Sequence, residues 1–144
     1  MRKLNASTIA RDYQFTLTSL REDILDIFLK GKKPLKAYEV ISLIQEEKAR
    51  ANIKPISVYR VLDFFMKKKL VHKLQSNSSF FLCKRKSCLD HAHITTFLIC
   101  KKCDQVEEIG DARLMSTFSS LLKNHNFKIT TDHLELNGFC SQCQ

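Results

Sequence analysis

Two cysteine pairs of one form, Cys100-Lys-Lys-Cys103 and Cys140-Ser-Gln-Cys143, constrain this chain more than any other feature. A two-residue spacer lets both sulfurs of a pair turn toward one ion, and two such pairs supply the four thiolates of a closed tetrahedral zinc site. The stretch from 104 to 139 that separates them is longer than the roughly 15–20 residues of an ordinary zinc ribbon. It must therefore fold back on itself for the pairs to meet. The rival for either pair is a redox site. A thioredoxin-like CxxC sits where a strand meets a helix, whereas both pairs here stand at the ends of strand-like runs, and there are two of them. Structural zinc is the better reading, and zinc held only by the folded state adds its binding free energy to folding.

The rest of the chain narrows the setting. The opening MRKLNASTIARDYQFT has positive charges but no apolar run behind them, unlike a signal peptide. No stretch approaches the ~18 apolar residues of a membrane helix. A cytoplasmic, reducing location is expected, where six cysteines are more often metal ligands or catalytic thiols than disulfides. The net charge of +9 is unevenly distributed. Residues 1–82 hold 16 Lys and Arg against 8 Asp and Glu; residues 83–144 hold 8 against 7. Such polarisation fits a polyanion-binding module joined to one with a different task.

Within the basic half, SLREDILDIFLKG has a capping-box pattern at Ser19 and Glu22, apolar Leu20, Ile24, Ile27 and Phe28 at helical spacing, and Gly31 as a stop. LKAYEVISLIQEEKA places Val40, Leu43 and Ile44 on one face of a second helix. In ISVYRVLDFFMKKKL, Val58, Val61, Leu62 and Phe65 form a core stripe. Arg60, Asp63 and Lys67 gather opposite, with Tyr59 at their edge. VHKLQ, a polar SNSS turn and FFLCK then read as a β-hairpin. Three helices followed by a hairpin outline a winged helix-turn-helix, whose third helix enters the major groove.

The second half alternates differently. TTFLIC and QVEEI read as strands, and DARLMSTFSSLLKNH as a helix with Asp111 as N-cap and Leu114, Phe118, Leu121 and Leu122 turned inward. FKITTDHLELNG is strand-like. The expected architecture is α+β: a winged-helix domain over 1–82, then over 83–144 a hinge and a small α/β domain carrying the Cys₄ zinc site. Cys83, Cys88, His91 and His93 cluster in the hinge, with His72 and Glu108 on either side. From spacing alone, C-x4-C-x2-H-x-H fits a second zinc site or a polar hinge of unrelated side chains.

LKAYEVI, SVYRVLDFFMKKKLVHKL, FFLC, FLICKKC followed by VEEI, and HLELNGFCSQC together resemble the ferric uptake regulator (Fur) family from about Ser19 to Cys143. Within it the chain looks most like the zinc-responsive members, because Cys83 closes the wing and Thr95 and Phe97 replace the histidines that precede the first CxxC in iron-responsive ones. The resemblance implies a structural zinc on Cys100, Cys103, Cys140 and Cys143. It implies a sensory zinc on His72, Cys83, His93 and Glu108, making two zinc ions per chain. For DNA it implies Tyr38, Tyr59 and Arg60, to which charge adds Lys67 and the Lys32–Lys33 pair as phosphate contacts. The implied protein is a homodimeric repressor of zinc uptake genes, bound to operator DNA when zinc-loaded, with no membrane association, small-molecule substrate or enzymatic activity. The alternatives are an iron or peroxide sensor of the same family, a constitutive nucleic-acid-binding protein with only structural zinc, and a thiol oxidoreductase. One departure is Asp104, where the family usually has glycine after the first CxxC.

Overall fold

A computed structural model describes residues 4–83, 94–131 and 133–144. The chain divides into two compact units, Met1–Cys83 and Lys84–Gln144. The first contains α1 (Ala6–Asp12), α2 (Ser19–Lys30), β1 (Leu35–Lys36), α3 (Ala37–Glu47), α4 (Pro55–Lys67), β2 (Val71–Lys73) and β3 (Ser79–Leu82). Its antiparallel sheet runs β1-β3-β2. The helical stripes read from the sequence converge on one core: Ile24, Ile27 and Phe28 from α2, Val40 and Ile44 from α3, Val58, Val61, Leu62 and Phe65 from α4, with Leu20 and Leu43 only partly buried against it and Leu25 added by the structure. Burying each such side chain stabilises the unit by about 1.5–3 kcal/mol before the entropic cost is counted. This is a winged helix with α3 and α4 as the helix-turn-helix pair.

Four local features depart from expectation. Helix α1, absent from the sequence reading, is capped by Asn5, whose side chain accepts from Thr8 N–H at 2.8 Å, and it buries Ala6, Ile9 and Ala10. Helix α2 is capped by Thr18, with Ser19 already inside its first turn. Gly31 does end α2, but at φ −71° and so without the left-handed turn that favours glycine. The turn after α2 also contributes the short strand β1, which pairs Leu35 with Phe80.

The left-handed stops fall instead on non-glycine residues. Gln14, at φ 52°, follows the end of α1. Its N–H bonds Arg11 C=O at 3.2 Å and Phe15 N–H bonds Ala10 C=O at 3.0 Å, the paired bonds of a Schellman motif. Lys69 ends α4 in the same way, and Asn126 ends α5 (Ala112–Asn124). A Cβ in this conformation costs roughly 1–2 kcal/mol, partly offset by the greater freedom of glycine when unfolded. Gln14→Gly is therefore expected to stabilise the first unit by up to about 1 kcal/mol and so raise its urea midpoint, and Gln14→Val to lower it.

The second unit contains β4 (Thr95–Cys100), β5 (Val106–Ile109), α5 and β6 (His133–Gly138). The sheet order is β5-β4-β6, antiparallel between β4 and β5 and parallel between β4 and β6. Phe97, Ile99 and Thr96 of the central strand are buried. Asp111 caps α5 as expected, accepting from Arg113 N–H at 2.8 Å. The inward packing expected of Leu114, Phe118, Leu121 and Leu122 holds in part and is otherwise corrected: Phe118 and Leu122 are half-buried, no residue of α5 is fully buried, and Leu121 is 53% exposed. Leu114, Leu136, Phe127 and Phe139 are exposed as well. The helix is amphipathic, and among the described residues of its own unit its apolar face is not fully covered.

Candidate metal centre and nucleic-acid interface

The sheet of the second unit brings the two cysteine pairs together. Cys100 ends β4 and Gly138 ends β6; the parallel register sets them side by side, and Lys101 N–H bonds Gly138 C=O at 2.9 Å. Each pair then turns tightly. Asp104 N–H bonds Cys100 C=O at 2.9 Å, and Gln144 N–H bonds Cys140 C=O at 3.1 Å. Asp104 adopts φ 58°, the conformation for which glycine is the ordinary choice and which aspartate tolerates better than most residues. The departure noted in the sequence thus keeps the turn at some cost in strain.

The four Sγ atoms lie within 4.8 Å of one another, and those of Cys103 and Cys140 are 3.8 Å apart. A tetrahedral ion with metal–sulfur bonds of about 2.3 Å would set its sulfurs ~3.8 Å from each other. Backbone N–H groups stabilise the thiolate as well: Cys140 N–H points at Cys100 Sγ at 3.4 Å. The N–H groups of Cys140 and Cys103 hold the Cys100 thiol down, to about 6. Hydrogen bonding from Cys143 to Cys140, together with burial, pushes the Cys143 thiol up to about 12. Without a cation, the Cys100 thiol loses its proton more readily than an ordinary thiol while Cys103 and Cys143 hold theirs more tightly, as burial and adjacent negative charge oppose further ionisation. A divalent ion reverses that balance, and an all-thiolate tetrahedral set suits zinc.

The residues expected at a second site are placed differently. His72 lies on β2, its neighbour across the hairpin being Phe81. Cys83 follows β3 and its N–H bonds Leu70 C=O at 2.8 Å. Because side chains alternate along a strand, this register puts His72 and Cys83 on one face of the hairpin as diagonal neighbours, opposite the face that Val71 and Phe80 pack into the core. Both are buried, at 8% and 5% exposure. Glu108 lies on β5 of the second unit, paired with Phe97. His93, like Cys88 and His91, is outside the described residues. His133 is buried on β6, with Nε2 3.0 Å from a Glu135 carboxylate oxygen.

In the first unit Tyr38 on α3 and Tyr59, Arg60 and Lys67 on α4 are all exposed, as are Lys32 and Lys33 in the turn after α2. Two other basic residues are engaged elsewhere. Lys48 Nζ donates to Asp26 at 2.9 Å, which raises the lysine's pKa, and Arg50 Nε donates to Asp23 at 2.6 Å. Arg50 also bonds Ser19. These contacts tie the end of α3 and the approach to α4 back onto α2, so they orient the exposed face of α4 and do not themselves present charge. Spacing alone gave no sign of this pairing, whose partners are far apart in sequence.

The ferric uptake regulator family model matches residues 12–137. The zinc uptake regulation protein of Escherichia coli (strain K12) is 28% identical over 139 residues, covering 96% of this chain and 78% of that protein. Among solved structures, a zinc uptake regulator complexed with zinc and DNA superposes with a TM-score of 0.77 at 27% identity, over 95% of this chain and 89% of that one. Holo XcZur gives a TM-score of 0.77 at 30% identity, over 95% of this chain and 94% of that one. Among the described residues, no helix is long and apolar enough to cross a membrane.

Proposed function

This chain belongs to the ferric uptake regulator family, and we propose that within it the protein is a zinc-responsive transcriptional repressor of zinc uptake genes. The observation that carries the reading is the pairing of a four-cysteine cluster in one unit with an exposed basic recognition helix in the other. Similarity to zinc uptake regulators, one of them solved with zinc and DNA, supports the choice of metal and partner. As with other members of the family, the role is regulatory and not enzymatic, exercised in the cytoplasm.

Each chain binds two zinc ions. Cys100, Cys103, Cys140 and Cys143 hold the structural one, which fastens the ends of β4 and β6 together. His72, Cys83, His93 and Glu108 hold the sensory one. What supports the latter set is that His72 and Cys83 share a buried face of the wing, with a soft sulfur and an imidazole nitrogen as donors suited to zinc. Zinc there raises DNA affinity only by its differential affinity for the DNA-competent state, and DNA must raise zinc affinity by the same factor. The exposed apolar side chains of α5 and β6 support pairing of two second units into a homodimer, which presents two copies of α4 to a two-fold operator. Tyr38 contacts DNA from α3 and Tyr59 and Arg60 from α4, Arg60 by the bidentate geometry that guanine accepts, while Lys67, Lys32 and Lys33 contact phosphates.

The test is zinc per chain and DNA affinity measured together against buffered free zinc. One chelation-resistant zinc, a second that leaves reversibly, and DNA binding that tracks the second are the expected results. A single resistant zinc with metal-independent DNA binding would favour a constitutive DNA-binding protein. Tracking of ferrous iron in place of zinc would move the protein to the iron-sensing side of the family.

A further inference from the structure

We propose that Ile56 reads the 5-methyl group of an operator thymine, making it a specificity-determining residue beside Tyr59 and Arg60. The proposal rests on the DNA-binding function above and deepens it. Ile56 is 55% exposed in the first turn of α4, directly after Pro55 at the helix start. At about 100° per residue, the direction opposite the middle of the Val58–Val61–Leu62–Phe65 stripe falls between Ile56 and Lys67. Arg60 and Asp63 flank that direction and Tyr59 lies nearer the rim. Lys67 is three turns further along, at the other end of the helix. A recognition helix touches base edges mainly with its N-terminal residues, so the central position in the contacting turn belongs to Ile56.

An exposed isoleucine on its own is ordinary. This one lies one turn before Arg60, on the same exposed and otherwise polar face that Asp63 and Lys67 continue along the helix. The occupant follows from the chemistry. Isoleucine offers neither donor nor acceptor, so it cannot answer the hydrogen-bonding groups of a base edge. The one apolar feature that the major groove presents is the thymine methyl group. Cytosine lacks that methyl and carries an amino donor nearby that Ile56 would leave unpaired, so the contact selects thymine over cytosine as well as over uracil.

The experiment uses the zinc-loaded full-length chain. Preferred duplexes are first selected from a randomised pool; each thymine of a selected duplex is then replaced singly by uracil, which removes only the methyl group. One thymine per half-site is expected to be sensitive, with wild-type affinity falling roughly fourfold on its replacement. Ile56→Ala should bind the thymine duplex weakly by a similar factor and be indifferent to uracil at that position, while Ile56→Val retains the sensitivity. Because the side chain is exposed, neither variant removes core packing. A variant Ile56→Ala with the same uracil sensitivities as wild type, or a wild type indifferent to uracil throughout, overturns the assignment while leaving DNA binding intact. A pool that yields no preferred sequence overturns sequence-specific binding itself, and Ile56 with it.

Discussion

Cys140→Ser is expected to abolish the chelation-resistant zinc and to unfold the second unit while the first remains folded. The sheet of the second unit has three strands, and within one protomer its helix α5 fully buries none of its residues, so little apolar packing inside the unit remains to hold the fold if the metal is lost. Structural zinc contributes about 10–16 kcal/mol of apparent binding free energy in zinc-finger peptides near neutral pH. That is comparable with the whole stability of an ordinary domain, about 5–15 kcal/mol. Three sulfurs and a serine hydroxyl would forfeit most of it. The first unit has its own closed core around Ile24, Leu62 and Phe65 and should melt separately. Native mass spectrometry for zinc and hydrogen exchange for the two units give the answer. A variant that keeps a resistant zinc and a protected second unit removes Cys140 from the ligand set. Acidification should release the same zinc from the wild type, since protons compete with metal for the four thiolates.

The second large effect is expected at the wing. Cys83→Ser changes sulfur to oxygen with little change in shape, and the Cys83 N–H bond to Leu70 is a backbone contact that the substitution leaves in place. The hairpin should therefore persist, as should the resistant zinc. The reversible zinc, and with it the dependence of DNA affinity on zinc, should be lost. A coupling of about 1–3 kcal/mol, or 5–150-fold in affinity, would collapse toward none. His72→Ala should do the same through loss of the nitrogen donor, although it also leaves space on a buried face. DNA binding that still follows zinc over the wild-type range in Cys83→Ser would exclude Cys83 as a ligand.

Much of this was legible in the chain itself. The 3.6-residue periodicity of α2, α3 and α4 is local, and so is the two-residue spacer within each CxxC. The misses have physical reasons. Helix α1 has only seven residues, too few for its Ala6, Ile9 and Ala10 pattern to stand out, although Asn5 was a usable cap signal. The apolar face of α5 was correctly periodic, but it turns inward only at Phe118 and Leu122, while Leu114 and Leu121 stay exposed. Periodicity reports that a face seeks cover, and it is silent on whether the cover belongs to the same chain. The sequence reading assigns Ile56 no role, although the angular positions of Val58, Val61, Leu62 and Phe65 already set it opposite the core stripe of α4.

The sequence by itself determined the winged helix, the segregation of positive charge and the presence of two thiolate pairs, because each depends on residue spacings within one element or on composition. Only the tertiary structure decided that residues 100 and 140 end adjacent parallel strands, so that four sulfurs lie within 4.8 Å. It alone decided that Lys48 and Arg50 are bound to Asp26 and Asp23 and so taken from the charge available to DNA. It also decided that His72 and Cys83 share one face of the wing. These are contacts between segments distant along the chain, set by strand register and helix packing, and no local periodicity encodes them.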